Sequence, residues 1–189
     1  MSPAAALKQL ARADSAAQMV EFAVSLPLLM VFVIGIFDFS GAFTLKQKLT
    51  NVAREAARAS AADPATDIAN ATVPASVADA FQVVSNYLDA NHLSSCGITQ
   101  SNLAAANLVW SATAPGCPPA AGLSQISINR ALATTQVISG TQTKIISTKV
   151  TLQYTYAWHF NRIISVLVSN ATYASMTTLS ASATAINEN

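Results

Sequence analysis

No charged residue lies between Glu21 and Asp38, and Phe22–Leu45 carries a single acid in 24 residues. A bilayer core takes about 20 predominantly apolar residues as helix. This segment is therefore long enough to span, with Glu21 at one end and Asp38 toward the other. The remainder of the chain is arranged around it, with a short leader before and a longer cargo region after.

The leader, residues 1–16, carries Lys8, Arg12 and Asp14. Basic charge ahead of an apolar run retains an N-terminus in the cytoplasm. Lys46, Lys48, Arg54 and Arg58 follow the run closely, so charge bias alone leaves the orientation open. Helical pattern continues past the apolar stretch. Leu45, Leu49, Val52, Ala53, Ala56 and Ala59 recur at three and four, with no Pro or Gly before Asp63-Pro64. The residue before Pro disfavours helix, which predicts an end near Ala62. A helix over 17–62 is about 70 Å long at ~1.5 Å per residue. Its first half, 22–45, is predicted to lie in lipid, and its second half to form the spine of an outer domain over 63–189.

Charged residues make up 10% of the chain against 52% hydrophobic, where about 25% charged is usual. One apolar helix does not account for that. The rest is rich in Ala, Ser, Thr and Asn, a surface suited to a secreted or subunit-packed protein. A net charge of +1 supplies no field for nucleic acid. Ser76–Asn91 reads as a second helix with Ser76 as its cap and Val77, Ala80, Phe81, Val84 and Leu88 on its apolar face. His92–Gly122 reads as loop, with room for a short element in Asn102–Trp110.

From Leu123 the period becomes two. Ile126, Ile128 and Arg130 predict one strand, and Gln136–Ser139 another. The clearest strand is Lys144–Tyr156, with Ile146, Thr148, Val150, Leu152, Tyr154 and Tyr156 on one face. Asn161–Ser169 reads as an apolar helix or turn, and Tyr173–Ile186 as a last strand. The fold class is α+β, with one or two helices packed on an antiparallel sheet of about four strands.

Cys96 and Cys117 are the two cysteines. An even count behind an export-type N-terminus predicts a disulfide over two unrelated thiols. Closing a loop of about 22 residues stabilises by roughly 3 kcal/mol in the chain-entropy model. The histidines, His92 and His159, stand without acidic sequence neighbours, and no CxxC, HExxH, GxSxG or phosphate loop occurs. No catalytic, metal or cofactor residue is expected. Trp158-His159-Phe160 reads as packing at a strand end.

Glu21 and Phe22 open the apolar helix. Pro27 lies within it, removes a hydrogen bond to the Ala23 carbonyl, and predicts a kink or local melting. Asp38 reads either as an interfacial acid or as a contact to a basic group such as Lys46 on a neighbouring subunit.

Three segments resemble the TadE-like minor pilins of bacterial tight-adherence (Flp-type) pilus systems. They are Met-Val-Glu-Phe-Ala-Val-Ser-Leu-Pro-Leu-Leu at 19–29, Gly-Ile-Phe-Asp-Phe at 35–39 and Leu-Thr-Asn-Val-Ala-Arg-Glu-Ala-Ala-Arg at 49–58. The resemblance implies a pseudopilin in the bacterial inner membrane, single-pass, with its C-terminal domain on the periplasmic side. It implies cleavage by a prepilin peptidase between Ala16 and Ala17, five residues before Glu21. Ala16 stands where the family has Gly. Glu21 would then pair with the new amine at Ala17 or with that of a neighbour and fix the axial register. The implied partners are other pilin subunits, the peptidase, the inner-membrane assembly platform and the lipid bilayer, with Leu49, Val52 and Ala56 meeting neighbouring subunits.

Two other readings compete. Residues 1–42 can act as a signal peptide with Ser40-Gly41-Ala42 at the cut, releasing a secreted binding module. Glu21, Pro27, Asp38 and the continuing helix argue against it. An uncleaved anchor for an exported enzyme lacks any catalytic cluster.

Overall fold

The computed structural model describes residues 3–64, 66, 73–117, 121–138, 141–159 and 176–187. Its order is α1 (Pro3–Ala62), α2 (Ala75–Ala90), β1 (Ala104–Ala106), β2 (Val109–Thr113), β3 (Gly122–Ile138), β4 (Thr141–Ala157) and β5 (Met176–Ile186). The chain divides into two compact units. One contains α1 up to Gly41 together with His159. The other runs from Ala42 to Trp158 and takes in β5.

α1 begins at Pro3, not at Ala17, so the leader is helical. Ala, Leu, Lys, Gln and Arg dominate there, all good helix formers, and Pro suits a first helical position. The helix also runs unbroken through Pro27, so the expected local melting does not occur. α1 ends at Ala62, ahead of Asp63-Pro64.

In the second unit α1 and α2 share one core with the sheet. Leu45, Leu49, Val52, Ala53, Ala56 and Ala57 come from α1, and Val77, Ala80, Phe81, Val84 and Leu88 from α2. The sheet contributes Ile126, Ile128, Val150, Leu152 and Tyr154. Ser76 is not a cap. Pro74 occupies the cap position without a side-chain bond, and Ser76 is buried in the first turn.

The sheet has five antiparallel strands in the order β1-β2-β3-β4-β5, against about four expected. Gln136–Ile138 belongs to β3 and is not a separate strand. The extra strands, β1 and β2, lie in the stretch read as loop. Ala106 pairs with Val109, leaving Asn107 and Leu108 as a two-residue turn with φ of 51° and 60°. Positive φ at both positions is the geometry such hairpins use, ordinarily with Gly at the second. Leu there hides the turn from a sequence reading. β4 buries Thr148, Val150, Leu152 and Tyr154 on the predicted face, while Ile146 is exposed. β5 pairs along β4 from Met176 to Ile186. The expected apolar element at Asn161–Ser169 lies outside the described residues.

Cys96 and Cys117 form the expected disulfide, with Cα atoms 5.1 Å apart. Gly122 at the start of β3 packs directly against it, and a Cβ there would fall on the Cys96 Sγ and within 2.9 Å of the Cys117 Sγ.

Arg130 is wholly buried on β3. Its guanidinium donates to the carbonyls of Ser60 and Asp63 and to Thr148 Oγ1. The last carbonyls of a helix have no intrahelical donor, and cations near them also oppose the helix dipole. Arg130 thus closes the end of α1 from the sheet. Thr148 donates onward to Asn187 Oδ1 at 2.6 Å, which ties the end of the chain into the same network.

Candidate functional site

The apolar residues of α1 before Ala42 have no core of their own to enter. Phe22, Phe32 and Phe37 are 66%, 65% and 73% exposed, and Val24, Leu28, Leu29, Met30 and Ile36 are likewise exposed. This is one helix long and apolar enough to cross a membrane, with a mean hydropathy of 2.4 over an 18-residue window and none of that window buried within the chain. Burying each such side chain is worth about 1.5–3 kcal/mol. Leaving all of them in water would therefore forgo more than the whole stability of an ordinary domain, about 5–15 kcal/mol. A helix apolar on all sides belongs in lipid or among other helices.

Ala16, Ala17, Val20, Glu21, Val24 and Ser25 line one exposed strip near its start. Ala17 and Glu21 stand one turn apart on that strip, so the residues named for processing and for register share a face. Phe22 lies next to them and is exposed.

Asp38 has a partner within its own chain. Its side chain is 3% exposed, and its Oδ1 lies 3.2 Å from Nδ1 of His159, whose side chain is 83% exposed. The contact is made within one chain. Lys46 donates to the Ser180 carbonyl on β5. His159 has no acidic neighbour in the sequence, and the fold supplies one from 121 positions away. A carboxylate taken out of water needs such a partner. No local sequence feature reports a pairing at that separation. Trp158, beside it, donates to Thr177 Oγ1 at 2.7 Å and packs edge-on against Tyr156.

Leu49, Val52 and Ala56 are 0% exposed in the core of their own unit. They are therefore not an exposed surface for contacts with a second subunit. The periodic stripe was legible, but a stripe does not say whether its cover comes from the same chain or another. The polar groups that α1 does present after Lys46 are Gln47, Asn51, Arg54, Glu55 and Arg58.

Among the described residues no group of three or more His, Cys, Asp or Glu is placed to hold a metal ion. Burial raises the Tyr154 hydroxyl above its ordinary value, opposed by a hydrogen bond with the Ser94 backbone. Burial also raises Tyr87, with the charge of Glu55 adding to it.

The features of α1 now stand together: an exposed apolar helix, an acid at its mouth, Pro27 within it, and a one-sided Ala-rich continuation. Residues 16–58 match the family model described as TadE-like protein. The TadE-like segment starts at the proposed processing site and ends on the spine, so it contains Glu21, Phe22, Pro27, Asp38, Leu49, Val52 and Ala56. No curated protein and no solved structure matches the chain.

Proposed function

We propose that this protein is a minor pilin of a Tad-type pilus, held in the bacterial inner membrane by α1 and acting in pilus assembly and surface attachment. The observation that carries the reading is the exposed apolar helix inside a TadE-like segment. Its work is helix packing, with no reaction and no cofactor of its own. In the membrane the helix awaits other pilin subunits at the assembly platform. Prepilin peptidase cuts between Ala16 and Ala17, and the amine released at Ala17 lies one turn from Glu21. A carboxylate–amine contact between adjacent helices in low dielectric is strong enough to select one axial register.

The disulfide supports an orientation. Disulfides persist in oxidising compartments, and Cys96–Cys117 lies after the apolar segment. The domain that holds it then faces the periplasm and the leader faces the cytoplasm.

A secreted module released after Ala42 is the second reading, and the boundary between the two compact units at Gly41/Ala42 favours it. The TadE-like segment runs straight across that boundary. Intact mass and N-terminal sequence of the protein from its native host separate the two. A start at Ala17 is the expected result. A start near Phe43 overturns the pilin reading, because the helix would have been discarded.

A further inference from the structure

Among the described residues, the sheet ends in an edge that is open for most of its second half. β5 is the terminal strand, and the Asn187 N–H donates to the Ile146 carbonyl at 3.1 Å. Antiparallel alternation then turns the backbone groups of Ala181, Ala183 and Ala185 toward β4, and those of Ser180, Ser182, Thr184 and Ile186 outward. The Lys46 bond to the Ser180 carbonyl agrees with that phase. Beyond Ser180, no backbone hydrogen bond from another described element reaches the outward groups of 182–186. β5 also contains no charge and no Pro, the residues that ordinarily block an edge.

A groove of about 560 Å³ runs beside this edge, lined by Arg54, Arg58, Ala61 and Ala62 of α1 and by Thr184–Ile186. Arg54 and Arg58 are both exposed and one helical turn apart. Among the described residues no acid lies within ion-pair distance of either. A row of outward N–H and C=O groups recognises an extended main chain, and two guanidiniums over an alanine floor recognise carboxylates.

We propose that the β5 edge and the Arg54/Arg58 pair form a docking site for an extended acidic segment of a partner protein. The segment adds beside Ser182–Ile186 as a further strand and sets its carboxylates on the two arginines. The site lies wholly within the unit from Ala42 onward, so it stands independently of the fate of the apolar helix.

The test uses the full chain in detergent micelles and fluorescence anisotropy with three labelled peptides. They are acetyl-Thr-Glu-Val-Glu-Thr-Glu-Val-amide, the same peptide with Lys for Glu, and a fully N-methylated form of the first. The acidic peptide is expected to bind saturably and the other two not to bind. Arg54→Gln/Arg58→Gln is expected to weaken binding about tenfold or more, the scale of lost charge complementarity. Thr184→Pro removes one outward N–H without touching the β4 ladder, and it is expected to abolish binding, with buried Trp110 fluorescence reporting that the fold is kept. Equal binding of the N-methylated peptide would show charge attraction without strand addition. Unchanged affinity in the arginine double variant would remove the acidic partner. Arginine-dependent binding of phosphatidylglycerol vesicles with no peptide binding would make the site a lipid-headgroup contact. Each of these three results overturns the proposal.

Discussion

Replacing Arg130 with Met tests how the end of α1 is held. Arg130 is 0% exposed, and its Nη2 lies 3.1 Å from the Asp63 carbonyl while Nη1 reaches the Ser60 carbonyl and, at 3.2 Å, Thr148 Oγ1. Met fills a similar volume and removes the cost of burying a cation. Exchanging a complete buried ion pair for apolar residues is often neutral or stabilising for that reason. Here the partners do not leave with the arginine. Two helix-terminal carbonyls keep their positions and lose their donors, at about 1–3 kcal/mol for each buried group left unsatisfied. Loss of a cation at the negative end of the helix adds about 0.3–1 kcal/mol. Set against the relieved desolvation, the expected net loss is about 3 kcal/mol. For a domain of this size that is a fall in Tm of roughly 10 °C.

Near-UV circular dichroism and the fluorescence of buried Trp110 follow the domain without interference from the helical signal of α1. Arg130→Lys keeps the charge but has no planar fork, so it cannot serve Ser60, Asp63 and Thr148 together. It is expected to fall between wild type and Arg130→Met. An Arg130→Met protein within about 0.5 kcal/mol of wild type, the range of ordinary surface substitutions, would refute the capping argument.

Gly122→Ala places a methyl group on the disulfide, so a loss of about 1–3 kcal/mol is expected, the usual cost of overpacking; thermal unfolding under oxidising conditions reads it. The same substitution in a reduced protein should cost less, because the sulfurs are then free to move apart. Leu108→Gly relieves a leucine held at φ 60° and is expected to stabilise by about 0.5–1 kcal/mol after the entropy of glycine is counted, measured by denaturant midpoint. Tyr154 and Tyr87 have folded-state pKa values raised above 10.0, so their contribution is intact below pH 10 and is lost as pH rises from 10 through the folded values. Ultraviolet phenolate titration of the folded chain should show these two ionising late, and no late fraction would contradict their burial.

What was legible in the sequence is what depends on neighbours a few residues apart. The 3.6 period from Leu45 to Ala59, the apolar face of α2 and the alternation of Thr148, Val150, Leu152 and Tyr154 are local patterns, and the structure buries those faces, with Ala59 only half-buried. The end of α1 followed from Asp63-Pro64. The reading allowed a short element in Asn102–Trp110, but the β1–β2 hairpin was not recognisable as one because its turn is Asn-Leu and its strands are short. Arg130 read only as one position on a strand, since its acceptors at the end of α1 lie 67 and 70 positions away in the chain. Asp38 and His159 are farther apart still. Local periodicity predicts that a face will be covered, and long-range geometry decides what covers it.

The change of pattern along α1 carries the strongest remaining argument. From Met19 to Phe43 the helix presents large apolar side chains around its circumference, and Phe43 itself is 67% exposed. From Leu45 the apolar set narrows to one buried stripe, rich in alanine, and Lys46, Asn51, Arg54, Glu55 and Arg58 occupy the other side. An all-round apolar surface is stable in hydrocarbon and a one-sided surface is stable at a core facing water. In the membrane-anchored state proposed above, the solvent of this helix changes between Phe43 and Lys46, within one turn. Lysine and arginine at such a boundary extend their charged ends into water while their stems stay on apolar surface. A cysteine introduced at Phe32 should then resist a membrane-impermeant maleimide in inverted and right-side-out vesicles alike. A cysteine at Asn51 should react from one side only, the side on which Cys96 and Cys117 are oxidised. Labelling of Phe32→Cys from either aqueous face would place the boundary elsewhere and remove the reason for assigning this helix to the bilayer.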